Sequence, residues 1–305
     1  MSILRIRDAS GEFVAIPSIK GEKGDKGDAG SVTAVNGIAP DGSGNVMLGA
    51  VHPRNLLDNS DFTNPVNQRG QSSYTNGGYC IDRWRTGMAS GTTAYAVGGI
   101  LWLGKGDGQF VQKLIDHHIG EALTFAIYLS DVSSEDIIAI VNDGYSQSAT
   151  PVHRGLNIVT HTVRADATTL YVGLQNNDQS SDQSCTPVWA ALYEGTYTAD
   201  TLPPYVPKGY AAELAECMRY YQIIPFDFSR SDLATSAAYP SRFPVVFPQT
   251  MHNTPTVMTS DYWSSNLDAN IQFDCISDRG CAFCITANNT NYSEWHGRVI
   301  CSSEL

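Results

Sequence analysis

The chain has 305 residues and a mass of 33.0 kDa, material for two or three domains with a sizeable core. Its 19 Lys and Arg against 31 Asp and Glu leave a net charge of −12, and only 16% of residues are charged. Such a surface cannot displace counterions from nucleic acid or an anionic membrane, which disfavours both kinds of non-specific binder.

In chain order, residues 1–20 read as a small hairpin, with Leu4-Arg5-Ile6-Arg7 and Phe13-Val14-Ala15-Ile16 on either side of Gly11. The charges at Arg5, Arg7 and Asp8 interrupt any apolar signal core, so synthesis and folding in a cytoplasm are expected. Residues 21–30 carry glycine at every third position (Gly21, Gly24, Gly27, Gly30), the spacing of a collagen-like triple helix. The Lys-Gly-Asp phase of the triplets suits trimer register, and the neck would be a rod of about 28 Å. A flexible glycine-rich linker is the competing reading. Residues 31–51 predict a second hairpin around Pro40-Asp41-Gly42-Ser43-Gly44. Asp41, Ser43 and Asn45 supply too few carboxylates for a calcium loop.

Residues 52–208 consist of short apolar segments between Gly, Asn, Asp and Ser clusters, among them 92–97, 100–103, 110–115, 123–129, 137–141, 156–163, 170–174 and 188–193. Strands at that spacing without intervening helices predict an antiparallel sandwich, a jelly roll. The longest aliphatic run, 137–141, falls far short of the roughly twenty residues that a bilayer helix requires. Pro203, Pro204 and Pro207 mark a boundary. Residues 209–224 hold one helix, expected over 211–222, with Glu213 and Glu216 early and Arg219 late. Its stripe of Leu214, Cys217, Met218 and Tyr221 is an intra-chain or trimer-axis seam. Residues 225–305 return to strand-like pieces and form a smaller distal β domain. The expected fold class is therefore mainly β.

Seven cysteines (Cys80, Cys185, Cys217, Cys275, Cys281, Cys284, Cys301) are too scattered and odd in number for a disulfide framework, so free and mostly buried thiols are expected. The spacing of Cys275, Cys281, Cys284 and Cys301, with His296 nearby, raises a zinc site as the competing reading. Cys281 and Cys284 lie in a strand-like run, where residues three apart face opposite sides. No metal or cofactor is expected. Asp116-His117-His118 reads as a solvated loop rather than a metal or acid/base group. No Gly-x-Ser-x-Gly elbow, His-Glu-x-x-His or phosphate-binding glycine loop is present, and no catalytic residue is assigned. A glycosidase pair among Asp131, Glu135, Asp136 and Asp143 stays open, because such carboxylates share no sequence spacing.

For sugar binding the informative signal is aromatic rings beside amides and hydroxyls. Tyr262, Trp263, Asn288, Asn291, Tyr292 and Trp295 lie in two loop-like segments, 261–266 and 288–296, and form the first candidate site. Filling of the domain core or a trimer interface by Trp263 and Trp295 is the competing reading. The concave sandwich face with Tyr95, Trp102 and Tyr171 is the second candidate surface.

Asn55-Leu56-Leu57-Asp58-Asn59-Ser60-Asp61-Phe62, Asn64-Pro65-Val66-Asn67-Gln68-Arg69-Gly70 and Tyr79-Cys80-Ile81-Asp82-Arg83-Trp84 together resemble the opening of the carbohydrate-binding-module-like sandwich of tail fibres and receptor-binding proteins of tailed phages and prophages. The collagen-like triplets, Val35-Asn36-Gly37-Ile38-Ala39-Pro40-Asp41 and the run 213–221 are also similar to segments of that group. The resemblance implies an elongated homotrimer in a virion tail or tail-like particle, made in the cytoplasm of a host bacterium. Its N-terminal end would sit on a tail or baseplate protein, and its distal end would adhere to a host surface polysaccharide by multivalent binding. No nucleic acid and no membrane insertion are implied. A tail depolymerase and a purely structural fibre segment are the alternatives. Asp82, Arg83 and Trp84 read as a buried ion pair and core tryptophan rather than sugar contacts.

Overall fold

A computed structural model describes residues 5–7, 9–15 and 53–304, apart from 76, 88, 237–238 and 269–270. The collagen-like stretch with Gly21, Gly24, Gly27 and Gly30 and the hairpin expected over 31–51 lie outside the described residues. The chain divides into two units, Met1–His52 and Pro53–Leu305. In the first, β1 (Arg5–Arg7) pairs antiparallel with β2 (Phe13–Ala15), Ile6 opposite Val14.

The second unit begins with twelve strands: β3 (Ser73–Thr75), β4 (Gly78–Tyr79), β5 (Trp84–Gly87), β6 (Ala94–Ala96), β7 (Leu101–Leu103), β8 (Gln109–Leu114), β9 (Ala122–Val132), β10 (Ile137–Asn142), β11 (Gln147–Pro151), β12 (Gly155–Thr162), β13 (Leu170–Asn176) and β14 (Gln183–Glu194). They form two antiparallel sheets, ordered β11-β10-β13-β8-β5-β4 and β12-β9-β14-β7-β6-β3. From β8 to β10 and from β11 to β14 each strand passes to the opposite sheet, as in a jelly-roll sandwich. Alternation along the strands dictates the core: Leu123, Phe125, Ile127 and Leu129 of β9 face Ile137, Ala139 and Val141 of β10 across one apolar interior.

Trp84 is fully enclosed, stacked on Phe110 at 5.0 Å and edge-on to Phe62 at 5.0 Å, and its indole N–H donates to the Asn59 carbonyl at 2.8 Å. Asn59, at φ 52, tethers the entering chain through Val66 and the Asp82 carbonyl. The run 55–62 is thus bound into the sandwich, and Asp61 bridges Trp189 of β14.

The helix α1 (Tyr210–Cys217) is shorter than the 211–222 expected, because Tyr221 and Gln222 already belong to the next strand. Glu213 is buried on the sandwich side, where it accepts the Asn59 amide N–H and faces Lys208 at 3.5 Å. Beyond it, β15 (Tyr221–Arg230), β16 (Ser241–Val246), β17 (Thr256–Ser265), β18 (Gln272–Asp274), β19 (Gly280–Ile285) and β20 (Ser293–Ser302) make two three-stranded sheets, β15-β20-β17 and β16-β19-β18. Pro225 sits inside β15, an edge strand, where its missing N–H disrupts no ladder on the open side. Phe283, Trp295, Val299 and Cys301 fill the small interior.

Sandwich and distal domain meet at a buried clasp. Arg69 donates to Asp82 at 3.0 Å and to Glu304, and its guanidinium lies 3.9 Å over the Tyr221 ring. Arg83 pairs with Asp58 at 3.3 Å and lies 3.5 Å over Tyr220. Burial lifts the Asp82 carboxyl to about 6 and that of Glu304 to about 7, against the pull of Arg69.

Candidate functional site

The two surfaces expected from sequence are partly dismantled by the fold. Trp295 is fully buried, in contact with Phe283 at 5.0 Å, so it belongs to the distal core and not to a ligand surface. Its neighbours on the strand alternate, which leaves His296 outside and Trp295 inside. Trp263, more than half exposed, lies over the His296 ring at 5.7 Å, and Asp227 reaches the same His296 at 3.3 Å. Tyr262, on the far side of a bulge at Ser260, stacks instead against Trp295 at 5.9 Å. Both rings lie within β17 rather than in a loop. The two segments do meet: Asn266, at φ 55, donates its amide to the carbonyls of Asn291 (3.1 Å) and Tyr292 (3.4 Å) and to the Ser293 hydroxyl (3.0 Å). Asn288 and Asn291 are exposed, and the Tyr292 hydroxyl donates to Ser229 at 2.6 Å.

The second surface does not exist as one surface. Tyr95 is fully buried beside Phe110 at 5.1 Å; its hydroxyl accepts the Gly98 N–H, and burial pushes its phenol up. Trp102 projects from β7 in one sheet and Tyr171 from β13 in the other. A single residue in a strand faces one side, and the sequence does not say which sheet the strand joins.

Tyr171 does stand in a cleft of about 130 Å³ on the outer face of the β11-to-β4 sheet, with Arg85, Gly87, Gln109, Val111 and Lys113. Register explains the grouping. Arg85 pairs with Val111 and Gly87 with Gln109, while Val111 pairs with Gly173 and Lys113 with Tyr171. All therefore share one face of three adjacent strands, β5, β8 and β13. Arg85 and Tyr171 flank the central strand β8, two strand spacings or about 10 Å apart. A Cβ at Gly173 would collide with the Phe110 carbonyl oxygen and lie 2.8 Å from Val111 Cα. Glycine is thus required there, and no side chain rises between Tyr171 and Gln175, so the floor beside Val111 is open.

The polar lining is ordered. Gln109 donates to Gln175 at 2.9 Å, and Gln175 donates to Asp107 at 3.1 Å, so both amides are fixed although nearly buried. Burial pushes the Tyr171 phenol up, so it remains a neutral ring with an O–H donor. An aromatic face, fixed amides and cationic donors around an apolar floor form a surface that can stack against the C–H face of a sugar while hydrogen-bonding its hydroxyls. Of this set the sequence offered only Tyr171. The available signal for the others was the alternation Gln109-Val111-Lys113, whose face is fixed only by the pairing partners.

The other residues singled out by the sequence take separate places in the two domains. Asp143 is buried, and although burial alone would raise it, the amides of Ser146, Tyr145 and Arg164 and the His161 ring hold its carboxyl well below the usual range. Asp136 accepts from Ser134 in an exposed turn. His118 lies 2.9 Å from Glu121 and 3.3 Å from Glu194 through one ring nitrogen. Cys281 faces the distal core, and Cys284 pairs in register with Arg242 on the opposite face. Among the described residues all seven cysteines are free, six of them buried and Cys275 exposed. No helix among them is long and apolar enough to cross a membrane.

No protein-family model matches the chain, and no curated protein matches it. Among solved structures, the chain is similar to recombinant discoidin II of Dictyostelium discoideum, with 12% identity over 64% of this chain and 77% of that one and a TM-score of 0.19. At that TM-score the likeness carries no weight for fold or ligand.

Proposed function

We propose that this chain is an attachment protein of the phage tail-fibre kind, binding host surface glycan without turning it over. The cleft around Tyr171 carries the reading: an aromatic ring, two hydrogen-bonded amides and two cations gathered on one sheet face above a floor kept bare by Gly173. The resemblance at 55–62, 64–70 and 79–84 supports the tail-fibre context, with the N-terminal hairpin as the end that meets a tail or baseplate protein. A homotrimer held by the neck would raise the avidity of three weak, open clefts.

The distal Trp263 and Tyr292 surface is a secondary contact in this reading. The proposal is tested on a printed array of bacterial surface polysaccharides, with the wild-type chain and Tyr171→Ala at equal folded concentration. Retention on defined spots that weakens about tenfold or more in the variant is expected, as for loss of an aromatic anchor. Release of reducing ends from those same polysaccharides would instead favour a depolymerase. Absence of any retention, with assembly into tails preserved, would favour a structural fibre segment.

A further inference from the structure

The chain is strongly acidic, yet the cleft is lined by two cations and no carboxylate. Most Arg and Lys side chains of residues 53–304 engage a carboxylate, including Arg54, Arg69, Arg83, Arg164, Lys208 and Arg242. Arg85 and Lys113 do not: among the described residues their side chains have neither an ion pair nor a hydrogen-bond partner. Both are only partly exposed, so their stems pack on the sheet while the charged heads reach outward. The Arg85 guanidinium lies over Gly87, 3.9 Å from where a Cβ would stand. Asp107, the carboxylate that fixes Gln175, also accepts from Gln179 and is not among the residues lining the cleft.

We infer that the cleft selects an acidic saccharide, with the sugar ring against Tyr171 and its anionic oxygens on Arg85 and Lys113. The inference rests on the glycan reading of the same cleft. Its physical basis is charge complementarity: a surface of net charge −12 repels an acidic polymer everywhere except where unpaired cations face outward. Arg85 presents a planar fork of donors that matches two oxygens of one anionic group, and Lys113, on the next strand, adds a point charge beside Tyr171. Carboxylate-bearing and phosphate-bearing sugars share that chemistry. Gln109 keeps its carbonyl oxygen unengaged among the described residues, an acceptor for a neighbouring hydroxyl.

The test is the same array grouped by charge, with uronic-acid polymers, phosphate-bearing polymers and neutral polysaccharides, probed with the full-length wild type, R85Q/K113Q and Y171A. The two glutamines shorten no strand and remove no side-chain partner, so thermal melting of R85Q/K113Q should match the wild type. Retention on acidic spots is expected. It should fall at least about tenfold in R85Q/K113Q, as for loss of charged hydrogen bonds, and weaken with added salt for the wild type but not for that variant. Which acidic class is retained distinguishes uronate from phosphate. Retention on neutral spots that Y171A abolishes and R85Q/K113Q leaves unchanged overturns the charge selection while keeping the glycan reading. No retention of the folded wild type on any spot overturns the glycan reading itself.

Discussion

The sandwich and the distal domain are built from the same alternating strands but enclose their aromatic residues differently. In the sandwich, Phe62, Trp84, Tyr95 and Phe110 are all fully buried between two six-stranded sheets. In the distal domain two three-stranded sheets cover Phe283 and Trp295 completely and leave Phe226, Phe228, Phe243 and Phe273 half-buried. Fewer strands enclose less apolar area per residue, so the smaller domain leans on its neighbour through Arg69, Arg83 and the C-terminal Glu304. The larger domain encloses its aromatic residues within its own two sheets, which leaves the outer face of the β11-to-β4 sheet open.

The largest effect that would test this contrast is at the two buried tryptophans. Trp84→Ala should lower stability by about 3–5 kcal/mol and also orphan the Asn59 carbonyl, whereas Trp295→Ala, whose indole N–H has no partner, should fall at the lower end of about 3–5 kcal/mol. Urea unfolding of both variants measures the difference, and equal losses would remove the distinction between the two cores.

The clasp predicts a smaller, pH-dependent effect. Burial raises Asp82 and Glu304 above their unfolded values, so between about pH 4 and 7 the folded state holds protons that the unfolded state releases. Their contribution is fully present below the unfolded values and is lost as pH rises through about 6 to 7. Each proton adds a slope of up to about 1.4 kcal/mol per pH unit. Asp143 acts oppositely, losing its contribution as pH falls below about 4. The double variant D82N/E304Q should flatten the slope between about pH 4 and 7 in urea titrations. A slope unchanged from wild type would place the titration elsewhere. Smallest of all, Tyr292→Phe removes an exposed hydrogen bond to Ser229 and should lower the unfolding free energy measured in urea by no more than about 1 kcal/mol.

Much of the architecture was legible because alternation and turn chemistry are local. The runs 123–129, 137–141, 156–163 and 170–174 are strands at nearly those bounds, and the opposite facing of Cys281 and Cys284 follows from the two-residue period. Local cues failed where tertiary pairing decides. The distal strands are expected to begin at 225 but β15 already starts at Tyr221, with Pro225 tolerated at the sheet edge, and Gln147–Pro151 lacks an apolar row yet pairs with β10. Tyr262 and Trp263 read as loop residues and lie in β17, because their Ser and Asp neighbours are polar on both faces there. The cleft was illegible for a related reason: Arg85, Lys113 and Tyr171 are far apart in sequence, and only antiparallel register brings them together. Tyr95 and Trp295 illustrate the converse, large rings whose strand parity turns them inward.

The central claim is that the sandwich cleft, not the distal surface, holds the glycan. It is tested most directly by comparing Tyr171→Ala and Trp263→Ala, each folded and at equal concentration, on the polysaccharide that the wild type retains best. The account predicts that Tyr171→Ala loses about tenfold or more in affinity while Trp263→Ala stays close to wild type. Loss in Trp263→Ala with Tyr171→Ala unchanged would contradict it and move the binding site to the distal domain.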